Sequence, residues 1–315
     1  MQLSLFDTHC DTAYELYRRG LHLNDNDACH VSLTHAAAYG RYAQYYAVWS
    51  DRRLDDNACW ENFLKISEYL ASEIARTPDK TTMVKSADDL TAALASGRHA
   101  AILAVEDARL LAGKLERLDV LRDRGVKYLT LLWGGDTCVG GSHDTENGLT
   151  DFGKAVVRGC FERGILPDVS HASERSTEET IALAYEYGKP VIASHSNAHR
   201  VWGHSRNLRD RHFHAIRELG GVVGVSLCQA HLRDLAQGPA TPETVFSHVE
   251  YYLSLGGEDT VGFGADWDGT DLPLGMSNVS HLLAVADIMA AHNYTDELIH
   301  KLFWGNMYHF SIKNI

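Results

Sequence analysis

One pattern recurs eight times along the chain: a short, nearly unbroken apolar run followed by a polar or helical stretch. The runs are LSLFDTH (3–9), YAQYYAVWS (42–50), AAILAVED (100–107), KYLTLLW (127–133), ILPDVSH (165–171), PVIASHS (190–196), GGVVGVSL (220–227) and VGFGADWDG (261–269). A strand with one wet face alternates polar and apolar residues. Runs this continuous suit strands buried on both faces of a parallel sheet. Segments with helical spacing lie between several of them. NACWENFLKISEYLASEIAR (57–76) carries charges opposite its apolar stripe, DDLTAALASG (88–97) closes on Gly97, and DFGKAVVRGCFERG (151–164) closes on Gly164. SERSTEETIALAYEYG (173–188) opens on Ser173, and TPETVFSHVEYYLSLGG (241–257) opens on Thr241 with Pro242 at its first position. Eight strands alternating with helices predict an α/β fold, a (β/α)8 barrel forming a single domain over residues 1–315. A doubly wound open sheet is the main alternative.

The polar residues favour the barrel. His9 and Asp11 end the first run, Glu106 the third, His171 the fifth, His195 the sixth and Asp266 the eighth. In a barrel these strand ends converge on one mouth, whereas in an open sheet they spread along an edge. Each residue taken singly has an ordinary explanation as a solvated or turn residue. Together they form an N/O donor set without a thiolate, which suits Zn²⁺ ahead of Mn²⁺, Fe²⁺ or Co²⁺. Five ligands exceed the needs of one open catalytic zinc. They suit two metals about 3.5–4 Å apart, with Glu106 as the bridging carboxylate. Strand alternation turns His9 and Asp11 to the same face and Cys10 to the other.

Composition removes some alternatives. The formal net charge of −13 argues against a nucleic-acid partner. Six scattered cysteines without a C-x-x-C pair argue against a disulfide framework. No apolar run reaches the roughly 18 residues needed to span a bilayer, and the N-terminal residues lack a signal-peptide pattern. The expectation is a cytoplasmic protein with reduced thiols.

DTHCD, AVED, KYLTLLW, GLTDFGKAVVRGCFERGILPDVSHAS, PVIASHSNAHRVWGHSRNLRD, VGFGADWDG and FWGNMYHF occur in this order between residue 5 and about residue 310. The series resembles the successive motifs of the membrane (renal) dipeptidase family of metallopeptidases. The resemblance implies a (β/α)8 barrel with two zinc ions per chain, and hydrolysis of dipeptides through a hydroxide bridging the ions. It implies His9 and Asp11 as ligands of one zinc, His171 and His195 as ligands of the other, and Glu106 as the bridge. It further implies Asp266 as the catalytic carboxylate, Arg206 as the anchor of the substrate's terminal carboxylate, a small-molecule dipeptide substrate and a homodimer. Trp133 stands where animal members have a substrate-contacting histidine, so it joins the substrate-binding set, with His143 as a nearby alternative. Asp107 and Ala108 replace two glycines usual in the family, and VSLCQAH ends the seventh run where animal members are tyrosine-rich. Unlike the membrane-bound members, the chain is not expected to carry a GPI anchor. Other readings compatible with the ligand set are a lactonase or cyclic amidase on the same barrel and, in another class, a metal-binding relative without turnover.

Overall fold

A computed structural model describes residues 2–315. Eight strands are regular: β1 (Leu5–Cys10), β2 (Tyr42–Trp49), β3 (Thr81–Val84), β4 (His99–Glu106), β5 (Val126–Thr130), β6 (Leu166–Asp168), β7 (Val223–Val225) and β8 (Val261–Phe263). All their pairings are parallel, in the order β6-β5-β4-β2-β1-β8-β7. Seven of the eight apolar runs therefore supply strands of this curled sheet. The run 190–196 supplies single bridges instead. Ile192 bridges Asp168 and Ala193 bridges Val223, which joins β6 to β7 and completes a barrel-like ring. Pro190, at the start of that run, has no N–H to extend a ladder.

β3 is an addition that the apolar pattern did not reveal. TTMV pairs with the first half of β4, on the edge that β5 uses for the second half. The long helices fall where periodicity put them: Asp56–Ala75, Ala87–Ala95, Asp151–Arg163, Glu174–Tyr187 and Pro242–Ser254. Thr150 caps the third and Ser173 the fourth through their side chains, and Gly164 and Gly188 end them in the left-handed conformation. Among the described residues no helix is long and apolar enough to cross a membrane.

Successive strand residues separate into two cores. Tyr42, Tyr46, Val48, Leu103 and Val105 pack against the surrounding helices. Phe6, Tyr45, Ile102, Tyr128 and Leu166 pack on one another, together with Trp304, Met307 and Phe310. Strict alternation would put Leu5 and Cys10 on opposite faces, yet both belong to the outer core. The register irregularity between Asp7 and Cys10 accounts for this. Asp11 lies just beyond β1 at the start of the helix Thr12–Arg19. It thus joins His9 from a loop and not through strand alternation.

Candidate metal centre

The six polar residues meet at the C-terminal mouth of the barrel. His9 Nε2 lies 3.8 Å from Asp11 Oδ2, 3.7 Å from Glu106 Oε2 and 3.8 Å from Asp266 Oδ1. The other Glu106 oxygen, Oε1, lies 3.0 Å from His171 Nε2 and 3.3 Å from His195 Nε2. Three ligand-atom groups result, and they share members: His9 with Asp11 and Glu106, Glu106 with His171 and His195, and His9 with His195 and Asp266. All six side chains are buried or nearly so.

The hydrogen bonds around the site decide which ring nitrogen faces it. Tyr128 Oη donates to Thr8 O at 2.9 Å, so the His9 Nδ1–H donates to Tyr128 Oη at 2.8 Å. Ser194 Oγ donates to Asp168 Oδ2 at 2.5 Å, so the His195 Nδ1–H donates to Ser194 Oγ at 2.7 Å. With Nδ1 engaged on the far side, both rings turn Nε2 toward the cluster, where a metal would bind it. Asp168 is itself held by Thr130 Oγ1 and by the backbone N–H groups of Ser170 and Ser194.

The donor set fits divalent cations. His9 Nε2 and Asp11 Oδ1 are buried without a hydrogen-bond partner. The Nε2 atoms of His171 and His195 approach to 2.9 Å beside the same carboxylate oxygen, so three potential ligand atoms converge on one point. Burial raises the pKa of Asp266 well above the carboxylate range, with His9 opposing and Asp11 and Glu106 adding to the rise. Burial likewise raises Glu106, reinforced by Asp11. Burial alone would lower His9, but Glu106 and Asp11 outweigh it and the net shift is well upward. Burial lowers His171 and His195 well below the ordinary imidazole value, helped by Arg206. A pocket dense in buried carboxylates beside neutral imidazoles is the electrostatic complement of bound cations.

Several backbones here are unusual. His171 (φ 67°), Asp266 (φ 64°) and Asp107 (φ 74°) are non-glycine residues at positive φ. Asp107 occupies a position where the resemblance leads one to expect glycine, and the conformation explains that preference. The aspartate tolerates it by accepting the Arg109 N–H at 3.0 Å. At Gly269 the issue is space: a Cβ would collide with Asp11 Oδ2 and Asp266 Oδ1.

The pocket above the cluster measures about 520 Å³ and is lined by Asp11, Glu106, His171 and Asp266 with Trp49, Trp133, His143 and His231. Trp133 stacks on His171, centroids 5.9 Å apart, and His143 lies 5.8 Å from the same ring. Arg206 is buried beside His195 and does not line this pocket. Its Nη1 donates to Ser196 Oγ and its Nη2 to His195 O, while Nε has no partner. A larger hollow of about 810 Å³ opens at the opposite end of the barrel, around Gly221, Thr260 and Trp304, away from all three ligand groups. Sequence reasoning missed Tyr128, Asp168 and Ser194. A charged residue inside the apolar run ILPDVSH was the available signal for Asp168.

Residues 1–311 match the family described as membrane dipeptidase (peptidase family M19). The chain is 31% identical over 243 residues to an uncharacterized Klebsiella pneumoniae protein in the pqqA 5′ region, a match spanning 74% of this chain and 89% of that one. It superposes on dipeptidase AC, a metallopeptidase of family M19, with a TM-score of 0.92 and 26% identity, covering 100% of this chain and 99% of that one. A Rhodobacter sphaeroides metallopeptidase, solved with a phosphinate mimic of the dipeptide L-Ala-D-Ala, shares the fold at a TM-score of 0.91 and 24% identity, covering 100% and 99%. With its barrel, its mouth of converging histidines and carboxylates and this match along nearly its whole length, the chain belongs to the membrane dipeptidase family of metallopeptidases, peptidase family M19.

Proposed function

We propose that the protein hydrolyses dipeptides with two zinc ions, one held by His9 and Asp11, the other by His171 and His195, and both by Glu106. The observation that carries this reading is the splay of Glu106, whose Oε2 faces His9 while Oε1 faces the other two histidines. When bound, the zinc ions supply Lewis acidity toward the scissile carbonyl and a water whose pKa falls to about 7.

The chain's own groups position and move the rest. Asp266 orients the attacking water, takes its proton and delivers it to the leaving amine. Its buried carboxylate, 3.8 Å from His9 Nε2, stands at the edge of the cluster, within reach of a water held there. Arg206 holds the substrate's terminal carboxylate. Two of its five N–H donors are engaged by Ser196 and His195 and its Nε is buried, so a ligand would reach it through the remaining Nη hydrogens. Trp133 forms an apolar wall beside His171 that keeps bulk water from the reacting bond.

The test is to load the protein with zinc, measure metal by mass spectrometry, and assay a panel of L,L and L,D dipeptides beside lactones and cyclic amides. About two zinc ions per chain and release of free amino acids are expected. Bound zinc with no dipeptide cleaved, and lactones or cyclic amides opened instead, would overturn the reading.

A further inference from the structure

Among the described residues, Arg52 is the one arginine or lysine that lines the pocket over the metal cluster. Its guanidinium carbon lies 5.6 Å from the Trp133 ring centroid, a cation–π contact. The group lies along the Trp133-Gly134-Gly135 stretch: a Cβ on Gly134 would meet Nη1 at 3.0 Å, and one on Gly135 would meet Nη2 at 3.2 Å. The two glycines thus leave a seat for the guanidinium.

The turn that carries Arg52 is pinned from both sides. Asp51 is buried, and its carboxylate takes Arg53 Nε at 3.0 Å and Tyr14 Oη at 3.1 Å. Its carbonyl takes Arg109 Nη2 at 2.5 Å, and Ser50 N donates to the Glu106 carbonyl at 3.1 Å. Its neighbours Ser50, Asp51 and Arg53 are bonded, yet among the described residues the exposed guanidinium of Arg52 has no hydrogen-bond or ion-pair partner. The pocket's carboxylates outside the metal set are all engaged. Glu15 pairs with Arg18, Asp144 takes the Ser142 hydroxyl and Gly135 N, and Asp268 takes Thr12 Oγ1 and His30 N. One cation, seated on an aromatic face with its N–H edge free, stands at the mouth of a site whose own anions are spoken for.

We propose that Arg52 receives a second carboxylate of the substrate, and that the preferred substrates are dipeptides bearing an acidic side chain. The inference rests on the dipeptidase reading and deepens it: with Arg206 on the terminal carboxylate, Arg52 selects the side chain. A guanidinium edge pairs bidentately with a carboxylate and only weakly with the isosteric amide.

The test compares kcat/KM for Ala-Glu against Ala-Gln and for Glu-Ala against Gln-Ala, with L and D second residues, on zinc-loaded wild-type protein and on Arg52→Gln. The expected result is a preference for the acid over the amide of about tenfold or more in at least one pair, collapsing toward unity in the variant. The ratio isolates the contact from any general loss of activity. No acid preference, or a preference that survives in Arg52→Gln, overturns the inference while leaving the dipeptidase reading intact. If no dipeptide is cleaved, the dipeptidase reading fails. Calorimetric affinities of the same pairs then decide the inference by the same ratio, with equal binding of acid and amide overturning it.

Discussion

Tyr128 holds His9 by the side of the ring that faces away from the cluster: its Oη sits 2.8 Å from His9 Nδ1 and gives its own proton to the Thr8 carbonyl. The hydroxyl therefore turns Nε2 toward the cluster. In Tyr128→Phe the His9 Nδ1–H and the Thr8 carbonyl lose a buried partner, which costs about 1–3 kcal/mol. Zinc affinity is expected to fall about 10–100-fold, as for other partners of metal-ligating histidines. Competition with a zinc-sensitive chelator measures it, and unchanged affinity would remove Tyr128 from the site's support.

Gly269 is expected to tolerate no side chain. A methyl group there collides with both Asp11 Oδ2 and Asp266 Oδ1, and the preceding residue, Asp268, is fixed by its hydrogen bonds to Thr12 and His30. Gly269→Ala should keep the far-ultraviolet circular dichroism of the wild type. A displacement of about 1 Å at the reacting centre should lower kcat/KM about 100-fold. Near-normal turnover would show that the two carboxylates have more freedom than their packing indicates.

Asp266→Asn separates a proton carrier from a ligand. Zinc content is expected to remain as in the wild type while kcat falls about 10²–10⁴-fold. Loss of zinc instead would make Asp266 a metal ligand, an outcome its place in one ligand group with His9 and His195 makes worth measuring.

His248 makes part of the fold's stability acid-sensitive. It is buried, accepts the Ala198 N–H on Nδ1 at 3.0 Å and donates from Nε2 to Leu232 O at 2.9 Å. Burial lowers its pKa from 6.5 to about 4. Between those values the unfolded chain binds a proton that the folded protein excludes. The stabilising contribution is thus complete above pH 6.5 and lost as pH falls through about 4. The stability difference between wild type and His248→Gln, from urea denaturation, should be smaller at pH 5 than at pH 7 by about 2 kcal/mol. A difference independent of pH would show that His248 titrates normally.

Much of this architecture was legible in the sequence because barrel strands are buried on both faces and therefore continuously apolar. The same logic explains the failures. TTMV in β3 is short and half-polar, and its pairing with β4 shows no periodic signal. Polar helices such as Arg117–Arg124 bury only Leu118 and Leu121 and so carry little amphipathic pattern. His9, Asp11, Glu106, His171, His195 and Asp266 stood out because ligand-type residues ended separate apolar runs. Their supporting residues did not, since Tyr128 acquires meaning only from His9, 119 positions away. Arg52 stays exposed in the fold, and its place over Trp133 becomes visible only in three dimensions.

The most direct measurement is zinc-edge anomalous diffraction from crystals of the zinc-loaded protein. Two peaks about 3.5–4 Å apart are expected, on either side of the Glu106 carboxylate, one beside His9 and Asp11 and the other beside His171 and His195. A single peak, or zinc elsewhere than among these five side chains, would contradict the shared two-metal centre.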